Sequence, residues 1–138
     1  MLKGIKMVPS KRSLGSIIFL PGDGFRLPTK ESLLAEIEFR LAGKITEEII
    51  YGKKGVSTLG ALDLNHVVGM LTINKIIVGS KGRGAEDTAK IIENIIKECE
   101  NKVRETLMSQ RDKLERLAQV ILEKQDISIK EIDALGIF

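Results

Sequence analysis

Apolar residues recur every three or four positions from Leu34 through Ile37, Leu41 and Ile45 to Ile49, the spacing that gathers side chains on one face of an α-helix. Thr29 stands where its hydroxyl can cap that helix, Glu31 places negative charge in the first turn, and Gly52 supplies a stop. Upstream the pattern shortens. Gly4 to Val8 and Leu14 to Leu20 predict two strands, the second carrying Ile17, Ile18 and Phe19. A polar link, Pro9-Ser10-Lys11-Arg12-Ser13, joins them, and Pro21-Gly22-Asp23-Gly24 ends the second by turn chemistry. After Gly52, the stretch Lys53 to Gly60 reads as a loop. A second helix is expected from close to Asp63 through Val67, Met70, Leu71 and Asn74 to about Val78.

Gly79-Ser80-Lys81-Gly82-Arg83-Gly84 interrupts the pattern. Its glycines and basic residues invite comparison with a phosphate-binding loop, but the preceding strand and the Gly-Lys-Ser/Thr ending that such a loop needs are missing, so a linker over 80–84 is expected. From about Ala85 the chain reads as helical, with one apolar stripe at Ile92, Ile96, Cys99, Val103 and Leu107 and another at Leu114, Leu117 and Ile121. Ser109 with Asp112 fits a capping box between the stripes, which favours a helical hairpin over one rod. Ser128 with Glu131 repeats the signature for a short terminal helix ending at Gly136. The expected fold is α+β and mainly helical: two short N-terminal strands, a helical body and a C-terminal helical hairpin. It forms one domain over 1–138, with strands and two helices in 1–79, the linker at 80–84, and the hairpin and terminal helix in 85–138.

A chain of 138 residues suits one such domain. Hydrophobic residues at 43% and charged residues at 30% speak for a folded protein rather than a disordered one. The 22 basic residues nearly balance 19 acidic ones, so the net charge of +3 selects no class of partner. Lys3, Lys6, Lys11, Arg12, Lys81 and Arg83 could form a basic surface, but with four Phe and one Tyr the interleaved aromatics of a nucleic-acid groove are lacking, and nucleic acid is the least favoured partner. No apolar run reaches the roughly 18 residues of a membrane span, and no apolar signal core follows the N-terminal lysines, so a cytoplasmic location is the default expectation. Cys99, the one cysteine, is expected in the core.

The segment Ala42 to His66 carries the candidate chemistry. Ala42-Gly43-Lys44, Glu47-Glu48, Gly52, Thr58 and Asp63-Leu64 follow one another at the spacing seen in the peptidase domain of the membrane-anchored ATP-dependent zinc metalloproteases, the FtsH-like proteases, and the chain resembles that family. The resemblance extends over nearly the whole chain, from Val8-Pro9 and Leu14-Gly15 through Pro21 and Gly79 to Arg111, Leu114, Leu117, Ile121-Leu122-Glu123 and Ser128-Ile129-Lys130-Glu131-Ile132. It implies a peptidase-like fold, a ring-shaped assembly and, for Asp63, the place of the last zinc ligand.

The departures bear on function. The family's Thr-Gly-Ala-Ser-Asn-Asp-Leu is here Thr58-Leu59-Gly60-Ala61-Leu62-Asp63-Leu64, with two leucines replacing small and polar residues. Lys44 stands for an arginine and loses its fork of donors. The His-Glu-x-x-His helix that gives two zinc ligands and the catalytic base is not in this sequence, whose one histidine is His66. No catalytic residue and no cofactor are therefore expected. Asp63 is a remnant metal ligand, His66 a lesser one three residues on, and zinc would bind only if histidines were supplied from elsewhere. Glu47 and Glu48 point about 100° apart and do not converge; one is expected in solvent and the other in an ion pair. The leading expectation is a catalytically inactive interaction or assembly domain that self-associates or binds a protein. The alternatives are a fragment or component of an ATP-dependent zinc metalloendopeptidase, and a nucleic-acid-binding protein.

Overall fold

The computed structural model describes residues 2–7, 16–19, 29–74, 79 and 84–136. In chain order these form strands β1 (Leu2–Lys6) and β2 (Ser16–Phe19), helices α1 (Lys30–Tyr51), α2 (Thr58–Ile73), α3 (Ala85–Ser109) and α4 (Arg111–Lys124), strand β3 (Asp126–Ser128) and helix α5 (Ile129–Ala134). The mainly helical fold with two short N-terminal antiparallel strands agrees with the sequence reading. The expected turn at Pro21–Gly24, the strand ends at Val8, Leu14 and Leu20, and most of the 80–84 linker lie outside the described residues. Among the described residues, no helix is long and apolar enough to cross a membrane.

The chain divides into two compact units. One is the continuous stretch Leu27–Ser109, and the other joins Met1–Arg26 to Gln110–Phe138. In the continuous unit α1 starts as expected at Thr29, whose hydroxyl accepts from the Ser32 amide at 3.1 Å, while Ser32 Oγ accepts from the Thr29 amide at 2.9 Å. This reciprocal capping satisfies two amides that a helix start leaves free. Gly52 ends α1 with φ at 75°, a conformation that costs a side chain and costs glycine nothing. The buried face is Leu33, Ile37, Leu41 and Ile45, with Leu34 and Ile49 flanking it partly buried. Val67 and Leu71 of α2 and Ile92, Cys99 and Val103 of α3 complete this core. Each fully buried branched side chain contributes about 1.5–3 kcal/mol, so α1, which contacts both other helices, is its spine. Burial also raises the pKa of the Cys99 thiol above its ordinary value, as befits the core position expected of it.

The second unit is a three-stranded antiparallel sheet of order β2-β1-β3 with α4 and α5. Ile5 pairs with Ile17 on one side and Ile127 on the other, and a register shift falls between Leu2 and Gly4. Ile127 and Ile132 are its fully buried side chains. The third strand is absent from the sequence reading. So is the division between α3 and α4 as it stands: Ser109 does not cap α4 but ends α3, its hydroxyl donating to the Thr106 carbonyl at 2.9 Å, and Gln110 takes the cap position without a side-chain hydrogen bond. The Ser128–Glu131 box is formed, with Glu131 Oε2 accepting from the Ser128 amide at 2.9 Å and Ser128 Oγ accepting from the Glu131 amide.

Candidate functional site

Asp63 lies on the second turn of α2, and what places that turn is Glu47. Ser57 donates to it twice, from its amide at 2.7 Å and from its hydroxyl at 2.8 Å, and the same Ser57 hydroxyl accepts from the Gly60 amide at 3.4 Å. The end of α1 thereby holds the start of α2, which begins at Thr58, five residues ahead of Asp63, where the sequence pattern placed loop. Gly60 lets the two helices meet closely: a Cβ there would stand 3.0 Å from Val56 Cγ1 and 3.3 Å from both Glu47 Oε2 and Lys44 Cβ.

Glu47 is thus not the solvent-facing member of the acidic pair; it is half-buried and serves as a clasp between helices. Glu48 is the ion-paired member. It takes Lys44 at 3.2 Å and Arg104 of α3, while Lys44 also reaches Glu100 at 2.6 Å. Burial opposes charge on both Glu48 and Lys44. The hydrogen bonds from Arg104 and Lys44 outweigh it at Glu48 and lower that pKa, and those to Glu100 and Glu48 outweigh it at Lys44 and raise that one. Neither glutamate is free for acid–base chemistry.

Asp63 is half-buried and His66 exposed one turn further along. Residues three apart share a helix face, so these two donors are neighbours, and no third joins them: no group of three or more His, Cys, Asp or Glu among the described residues could hold a metal ion. A catalytic zinc needs three protein ligands and an open position. With one histidine in the chain and Glu47 and Glu48 engaged in clasp and ion pair, the residues present do not fit it.

Exposed apolar side chains share the helix with Asp63. Leu59 and Leu62, the two leucines that depart from the family segment, are 62% and 52% exposed, and Ile73 at the end of the same helix is 84% exposed. On another side of α2 a groove of about 990 Å³ runs along α3, lined by Leu64 and Val68 from α2 and by Ile92 and Ile96 with the charged Glu93 and Lys97 from α3. Gly60, Val67 and Leu71 of α2 are buried, and Leu64 and Met70 pack partly buried against the same core. Sequence reasoning placed Val67 and Leu71 but missed this surface. Its signal was present in Leu59, Leu62 and Ile73, apolar residues on the same helix that lie off the Val67–Leu71 stripe.

The chain matches no family model. It is similar to curated proteins named ATP-dependent zinc metalloprotease FtsH. That of Rhodothermus marinus is 30% identical over 152 residues, covering 90% of this chain and 21% of the relative. That of Syntrophobacter fumaroxidans is 30% identical over 149 residues, covering 87% and 23%, and that of Cyanidium caldarium is 25% identical over 154 residues, covering 92% and 25%. The chain therefore spans about a quarter of the length of these relatives.

Proposed function

We propose that this chain, which is homologous at family level to the FtsH-family ATP-dependent zinc metalloproteases, is a protease-like domain that acts by assembly and protein binding rather than by hydrolysis. The observation that carries this reading is the exposed apolar side chains of α2, Leu59, Leu62 and Ile73. Leu59 and Leu62 stand exposed beside Asp63, where a metal site would call for polar ligands and water. In this reading residues 1–138 work as a single peptidase-like domain in the cytoplasm, Asp63 and His66 are remnants without a metal, and the partner is another copy or another protein.

Light scattering on the purified chain at tens of micromolar tests it, with a mass above the monomer expected. A strict monomer that also retains no protein partner would overturn it. Zinc content and casein hydrolysis form the second arm: stoichiometric zinc with protease activity in the isolated chain would overturn the non-catalytic part.

The quarter-length match to the relatives favours a second reading, in which Asp63 completes a zinc site whose histidines lie on other polypeptide. Supplying a His-Glu-x-x-His segment in trans should then confer zinc binding. No gain of zinc would end this reading.

A further inference from the structure

Residues 85–124 contain neither glycine nor proline, yet they form two helices. The break at Gln110 lacks the usual local causes. Gln110 makes no side-chain hydrogen bond to α4, and its φ of −111° and ψ of 19° lie in the bridge region beside the helical well. The apolar pattern does not change there either. Leu107 and Leu114 are seven residues apart, about two helical turns, so the stripe of Ile96, Cys99, Val103 and Leu107 continues in register into Leu114, Leu117 and Ile121. The break leaves the last carbonyls of α3 and the first amides of α4 without the helical partners that one continuous helix would supply. Local sequence therefore favours a rod, and what opposes it lies downstream. There β3 and α5 are seated on β1: Ile5 pairs with Ile127, Lys6 Nζ meets Asp126 at 3.0 Å, and Ile127 and Ile132 are fully buried. Met1–Arg26, which contains β1, is joined to Gln110–Phe138 only through the continuous unit. Nothing in the pairing itself requires that β1 and β3 belong to one copy.

Resting on the assembly reading above, we infer that Gln110 is a hinge for exchange between copies of this chain. In the exchanged form α3 and α4 straighten into one helix over 85–124, about 60 Å long at 1.5 Å per residue, and β3 with α5 docks on β1 of another copy. The ladder of Gly4, Ile5 and Lys6 with Ser128, Ile127 and Asp126 is kept, made between copies instead of within one. The helix ends at Gln110 disappear, which stabilises the exchanged form. Lost freedom on association opposes it, so exchange rises with concentration. A one-residue hinge that interrupts a helix-forming stretch is the kind of short connection that invites swapping. An exchange returned by the second copy closes a pair, and one passed from copy to copy closes a ring.

Disulfide trapping reads which β1 each β3 occupies. Lys6 and Asp126 are exposed partners in the ladder, and Cys99 is buried in the core of the other unit. The double variant Lys6→Cys/Asp126→Cys, mildly oxidised at tens of micromolar and run on a denaturing non-reducing gel, should give covalent dimers or longer ladders. Pairing within one copy would give only a looped single chain that migrates faster. The hinge has its own arm: Gln110→Ala should raise and Gln110→Gly should lower the interchain product, the two exchange constants differing by about fivefold per hinge. An interchain product that neither substitution moves overturns Gln110 as the hinge. An oligomer by light scattering whose disulfides are all intrachain overturns the exchange while leaving assembly standing. A monomer that captures a different protein overturns the exchange but not the interaction reading, and a strict partnerless monomer overturns both.

Discussion

Glu48 ties α1 to α3 within the continuous unit. Its side chain is 11% exposed and carries hydrogen bonds from both Lys44 and Arg104. Glu48→Gln keeps the shape and removes the charge, leaving two cations short of a partner. Urea unfolding should show a loss of about 2 kcal/mol, the range for hydrogen bonds to charged groups, with an unchanged denaturant slope. The lowered pKa of Glu48 means its contribution is complete above the ordinary value of 4.5 and vanishes as pH falls through the lowered value. The raised pKa of Lys44 works oppositely: its contribution is complete below 10.5 and is lost as pH rises through the raised value. In the variant the acid limb of the stability profile should flatten. The Glu47-Glu48 pair was legible in the sequence, but its division of labour was not. Arg104 lies 56 residues from Glu48 and Ser57 ten from Glu47, and a local pattern contains no trace of such partners. Asp63 and His66 were legible as neighbours on one helix; the leucines around them were read as lost polarity, not as surface.

At the level of elements, the two capping signatures separate what local sequence can decide from what it cannot. Ser128 and Glu131 form their box, and Lys124 adds a 2.7 Å contact that, ahead of the Ser128 amide, holds Glu131 down to about 2. That depressed pKa makes the box complete above 4.5 and lost as pH falls toward about 2, so amide exchange at the start of α5 should accelerate through that window. Ser128→Ala should cost about 1 kcal/mol, as loss of an N-cap does, and should do so at neutral pH as well. Ser109 and Asp112 carry a similar pattern but do not cap α4, because α3 runs on through Ser109 and leaves only Gln110 before α4. Whether a serine ends one helix or begins another depends on how far the first helix is held by its packing, and that is tertiary. The strand β3 was invisible for a related reason. Three residues with one buried side chain make no periodic signal, and the pairing that defines them is with Gly4, Ile5 and Lys6, at the other end of the chain.

For the molecule as a whole, the helical stripes sufficed to recover α1 and α3, since their core is local to one continuous stretch of chain. The other unit is assembled from both ends, and its long-range pairing had to come from the structure. That arrangement has a mechanical consequence. Gly4 lies opposite Ser128 and Lys6 opposite Asp126, so Leu2 and the chain beyond Ser128 leave the ladder at the same end. Tension applied across Leu2 and Gly136 therefore peels β1 from β3 one pair at a time instead of shearing all pairs at once. The stretch Leu27–Ser109, spliced between the two strands, carries no load until they part. Optical-tweezer extension should accordingly show a small, low-force opening before the larger rip of the helical unit, and the same order in reverse on relaxation.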